Sequence, residues 1–98
     1  MTGYGFHPDA QREFTNAIQY YLEKDPQLAG DFISAIDEGL QAIRTNPETW
    51  RLLRDNIRRY LIRRFPFGIY YTYENRFVTV WAVHHLNRKP EEWIGRLD

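Results

Sequence analysis

Cysteine is absent from the 98 residues, and that excludes two architectures at once. Neither a disulfide framework nor a thiolate metal site can form, and a reducing cytoplasm is the expected setting. No apolar run approaches the length of a bilayer span, and the N-terminus lacks the basic-then-apolar layout of a leader, so no membrane association is expected. Internal repeats and low-complexity stretches are missing. So are a phosphate loop, a nucleophile elbow and a metal-binding helix, which leaves neither a metal nor an organic cofactor expected. Net charge is lacking too, since 13 basic side chains balance 13 acidic ones.

That balance conceals an asymmetry. Residues 1–50 carry three basic side chains (Arg12, Lys24, Arg44) against eight acidic ones, whereas residues 51–98 carry ten against five. Either the second half builds an anion-facing surface, or the two halves attract each other in the fold. Aromatic residues make up 16% of the chain, a large apolar payload for a core of this size. The length suits one domain over residues 1–98.

Helical periodicity governs the first half. His7-Pro8-Asp9 starts a helix in which Ala10, Phe14, Ala17, Ile18, Tyr21 and Leu22 form one apolar stripe. Asp25-Pro26 stops it and caps a second helix, along which Leu28, Phe32, Ile36, Leu40 and Ile43 repeat. Gly30 and Gly39 weaken that helix, and packing must compensate. Helices over about residues 9–24 and 26–45, with so short a link, predict an antiparallel hairpin.

From Trp50 the period changes. Strands are predicted over Ile57–Phe65, Ile69–Glu74 and Phe77–His85, joined by tight turns as an antiparallel meander. Tyr4 and Phe6 support a further short strand, and the tail with Arg88, Pro90 and Trp93 is expected to fold back over the sheet, Trp93 acting as a lid on the core. The fold class is therefore α+β, a helical hairpin on an antiparallel sheet.

Six arginines crowd positions 51–64: Arg51, Arg54, Arg58, Arg59, Arg63 and Arg64. Arginine's planar fork binds phosphate bidentately and stacks on bases, as lysine cannot. On one strand, Arg59 and Arg63 face one side and Arg58 and Arg64 the other. Charged residues also guard sheet edges, but six exceed that need, so a binding role is favoured. His84 and His85 face opposite sides of their strand and cannot share a metal; one is expected to be buried, the other free for acid–base work.

The order of these motifs is informative. A hairpin and an arginine strand precede Phe65-Pro66-Phe67-Gly68-Ile69-Tyr70-Tyr71, then Ala82-Val83-His84-His85, then Arg88, Pro90, Trp93 and Arg96. This resembles the RelE/ParE superfamily, the toxins of type II toxin–antitoxin modules. The resemblance implies growth inhibition, plasmid stabilisation and neutralisation by a cognate antitoxin whose disordered part folds onto the toxin. It also implies one of two targets. ParE-type members poison DNA gyrase; RelE-type members cut mRNA on the ribosome without metal, using basic residues and a Tyr or His. Arg58, Arg64, His85 and Arg88 match the superfamily pattern by position. Arg58, Arg59, Arg63, Arg64, Arg88 and Arg96 are the expected target- or nucleic-acid-binding residues, with His85 catalytic only in a ribonuclease. A ribosome-acting protein gains from being strongly basic, so the neutral chain leans towards the ParE class. A ribosome-dependent endoribonuclease is the alternative, and a non-toxic binding module with the same fold is the third.

Overall fold

Two helices lie across a five-stranded sheet in a computed structural model that describes residues 1–89 and 91–97. The chain runs β1 (Gly3–Phe6), α1 (Pro8–Lys24), α2 (Pro26–Thr45), β2 (Arg51–Arg54), β3 (Ile57–Leu61), β4 (Phe67–Glu74) and β5 (Phe77–His85). A short helix α3 (Glu91–Ile94) and a 3-10 turn (Gly95–Leu97) follow. Pro90, part of the expected tail motif, lies outside the described residues.

Both helix starts are built as the sequence predicts. The His7 ring nitrogen Nδ1 accepts the Asp9 N–H at 3.0 Å, and the Asp25 carboxylate accepts the Gln27 N–H at 3.0 Å, each just before a proline at the first helical position. Asp25 is at once the cap that ends α1 and the one that starts α2. The buried face of α2 is Ala29, Phe32, Ile36, Gly39, Leu40 and Ile43. On α1, Ala10 and Ala17 are buried and Phe14, Ile18 and Tyr21 pack on the core, but Leu22, assigned to the same stripe, is exposed. A cluster of rings joins hairpin to sheet: Phe32 lies 5.1 Å from Tyr21, 5.3 Å from Phe65 and 5.1 Å from Phe67, centroid to centroid.

The strand order is β1-β5-β4-β3-β2. β2 to β5 form the antiparallel meander, and β1 joins β5 in parallel, so the sheet is mixed. Asn75 and Arg76, both at positive φ, make the tight turn between β4 and β5. Two departures matter for the site. β2 is a strand the periodicity did not predict, because all four of its residues are exposed and no face alternates. β3 ends at Leu61 rather than Phe65. Ile62 and Phe65 turn inward to the core, and Arg64 adopts a left-handed φ of 71°. Arg63 and Arg64 therefore sit in a bend, and no strand faces sort them.

The core lies between hairpin and sheet, with Ile69, Tyr71, Val78, Val80 and Val83 on the sheet side. The reverse face carries a smaller cluster of Ile57, Tyr70 and Ala82, on which Trp93 packs with its ring 4.7 Å from that of Tyr70. The tail thus folds back as expected, over the face opposite the helices.

Candidate functional site

β1 pairs with β5 only as far as Val80, so the edge of β5 beyond it needs other partners. His7 N–H donates to the Val80 carbonyl at 2.8 Å. Glu13, on α1, accepts the Val83 N–H at 3.1 Å. Trp81 is the extra residue of a bulge, and its carbonyl accepts from Arg96 Nη1 at 3.0 Å. Glu13 and Arg96 also bind each other through both oxygens, at 3.0 and 2.7 Å, with their side chains only 16% and 14% exposed. His84 is buried beside them, its Nδ1 3.6 Å from Glu13 Oε2. Arg96, expected at a binding surface, is thus fastened inside the fold. Glu13 was not singled out from sequence, although it fills the i+3 place in an otherwise apolar 10-13-14-17 pattern, a position that faces the core.

His85 points the other way, into a groove of about 740 Å³ between α1 and the ends of β4 and β5. Its walls include Asn16, Ala17, Tyr20 and Tyr21 from α1, Phe67 from β4, and Arg88 from the loop after β5. The ring of His85 stands edge-on to Phe67 at 5.2 Å, and its Nδ1 accepts the Asn87 N–H at 3.0 Å. That bond leaves Nε2 to carry the proton of the neutral ring. Burial pushes the Tyr21 phenol in its wall above its usual pKa.

The other arginines disperse. Arg58 Nη1 donates to the Glu48 and Trp50 carbonyls at 3.0 and 2.9 Å, holding the segment that leads into β2. Arg63 pairs with Glu38 and Arg64 with Asp31, both at 3.3 Å across to α2. Arg59 faces the reverse side of the sheet, directly opposite Arg51 on β2 and Tyr70 on β4. Of the four positions that match the superfamily pattern, the groove gathers His85 and Arg88 alone. Among the described residues, no group of three metal-ligating side chains converges, and no helix is long and apolar enough to cross a membrane.

The described elements thus form a helical hairpin packed on a mixed five-stranded sheet. A solved structure described as the chromosomal ParDE toxin–antitoxin system from P. aeruginosa shares this fold, with a TM-score of 0.75 over 89% of this chain and 98% of that one. At 14% identity this likeness establishes the fold. Comparison with curated proteins finds no match. Residues 4–90 match the family described as the ParE toxin of the type II toxin–antitoxin system parDE, and the chain belongs to that family.

Proposed function

We propose that this ParE-type toxin poisons DNA gyrase by surface contact and is neutralised by a cognate antitoxin. The observation that carries this reading is the dispersal of the basic residues. A metal-free ribonuclease must bring an acid–base group and charge stabilisers to one phosphate. Here Arg58 is bound at the start of β2 and Arg64 to α2, while His85 and Arg88 share the groove. An aromatic groove with one exposed cation suits protein recognition, where arginine and tyrosine dominate the binding energy. Acting on gyrase places the protein in the cytoplasm.

One observation favours the ribonuclease alternative: His85 lines the groove and is oriented there by the Asn87 N–H, as a general acid would be. The purified protein should be assayed for gyrase supercoiling and for mRNA cleavage on programmed ribosomes. We expect inhibited supercoiling with intact mRNA. Arg88→Ala should weaken inhibition roughly 5–30-fold, the scale of an interface arginine, and His85→Gln should have a smaller effect. Cleavage lost in His85→Gln by roughly 10²–10⁴-fold, with supercoiling untouched, would establish the ribonuclease. Activity in neither assay would leave the inert binding module.

A further inference from the structure

We propose that β2 is a docking edge, at which an acidic, extended segment of a partner protein adds to the sheet as a sixth strand. β2 is the last strand on its side of the sheet, and Arg51, Leu52, Leu53 and Arg54 are all exposed. Its outer backbone groups are a template for strand addition. The opposite edge is different: there Thr2, just before β1, exchanges hydrogen bonds with Arg44 at the end of α2.

The charge around β2 specifies what can bind. Arg51 and Arg59 are direct cross-strand partners on one face, an arrangement that costs stability because like charges repel. The stem of Arg59 lies over Gly68, where an added Cβ would sit 3.2 Å from its Cγ. Its Nε is buried, and no described residue accepts its hydrogen bond. An incoming carboxylate beside exposed Arg51 would offset that repulsion. Arg54 adds a third cation, with Asp55 only 3.8 Å from its Nε as a local counter-charge. Leu52 and Leu53, 51% and 36% exposed, offer apolar contact between the arginines. Two copies of this edge would set arginine against arginine, so self-pairing is disfavoured while an acidic strand is welcomed. A bulge between Leu52 and Arg54 limits the pairing to a few residues, so this edge adds selectivity to a contact that extends elsewhere.

The site deepens the toxin–antitoxin reading in one respect only: within it, the acidic strand belongs to the antitoxin. The test uses neither antitoxin nor gyrase, so its failure and the failure of that reading are separable. The ¹⁵N-labelled protein is titrated at low salt with a blocked synthetic peptide that alternates Glu with Val and Thr. A proline-interrupted peptide of equal charge and a Lys-for-Glu peptide serve as probes of pairing and of sign. Amide shifts should appear first at residues 51–54 and 59 and fade as salt is raised. R51E/R54E should bind the acidic peptide at least roughly tenfold more weakly and accept the Lys peptide instead. Its dispersed amide spectrum reports that it folds. Shifts confined to the groove at Tyr20, His85 and Arg88, equal binding of the proline peptide, unaltered binding by R51E/R54E, or no shifts at millimolar peptide would each overturn the proposal.

Discussion

Replacing Glu13 by Gln tests whether the ion pair that closes the β5 edge holds the tail to the fold. The Glu13–Arg96 pair is mostly buried and doubly bonded, and removing one member of such a pair costs about 3–5 kcal/mol when nothing compensates. Two features reduce that figure. Glutamine can still accept the Val83 N–H, and Asp9 Oδ2 lies 3.5 Å from Arg96 Nε as a second carboxylate. About 2 kcal/mol is therefore expected. For a domain of this size that lowers the melting temperature by roughly 8–15 °C. Arg96→Met should cost a similar amount, because it strands the Glu13 carboxylate beside buried His84. The double variant should recover part of the loss, with a coupling above about 1 kcal/mol in urea unfolding. The exposed Arg63–Glu38 pair, with side chains 76% and 54% exposed, is the control and should couple by less than about 1 kcal/mol. Equal couplings for the two pairs, or a Glu13–Arg96 coupling within about 0.3 kcal/mol of zero, would refute the reasoning.

Gly39→Ala should destabilise the protein by about 1–2 kcal/mol despite alanine's better helix propensity, because the new Cβ would lie 2.9 Å from both Ile69 Cδ1 and Tyr60 Cε1. Gly30→Ala meets nothing within 4 Å and should stabilise by up to about 1 kcal/mol; thermal melts that rank the two the other way would contradict the packing. Tyr71 donates to the Pro47 carbonyl at 2.7 Å, and its burial pushes the phenol pKa from 10.0 up to about 12. The raised value means that the folded protein holds this proton more tightly than the unfolded chain. The stabilisation is complete below pH 10 and is lost as pH rises towards 12, by about 3 kcal/mol in all. Tyr71→Phe should cost about 1–2 kcal/mol at neutral pH and flatten that alkaline decline in urea titrations; an unchanged decline would count against it.

The hairpin was legible because its apolar spacing and its two capping sites are local. His7-Pro8 and Asp25-Pro26 each place an acceptor side chain before a residue with no N–H to satisfy, and the structure uses both. β4 and β5 were legible because they are long and buried. β2 was not, since four exposed residues carry no pattern, although Asp55-Asn56 between two short runs is itself a hairpin signal. The end of β3 was hidden for another reason. Arginine at positive φ is uncommon, and only the inward pull of Ile62 and Phe65 on either side of Arg63 and Arg64 accounts for it. Nor did sequence weigh the two glycines of α2 correctly as a pair, because packing explains Gly39 and leaves Gly30 unexplained.

The arginine cluster shows where a pattern in sequence stops being a pattern in space. Six arginines within fourteen positions suggest one surface, but Arg58, Arg63 and Arg64 each turn to a different acceptor. Carbonyls take Arg58, and the acidic helices take Arg63, Arg64 and, from the tail, Arg96. Part of the charge asymmetry between the halves is thus internal attraction, which the sequence left as one of two alternatives. The anion-facing alternative survives in what that attraction leaves over. Arg51 and Arg54 lie on β2 with Arg59 opposite Arg51 on β3, Asp55 and Glu74 line a pocket with Arg54, and Arg88 stands at the groove beside His85. These are two separate surfaces of one domain, and they make different demands. A groove lined by Tyr20, Tyr21 and Phe67 can bury an apolar side chain, whereas an arginine-flanked edge selects an acidic strand. A toxin that must meet both a target and an inhibitor has use for each, and charge reversal at β2 beside truncation at Arg88 would assign them.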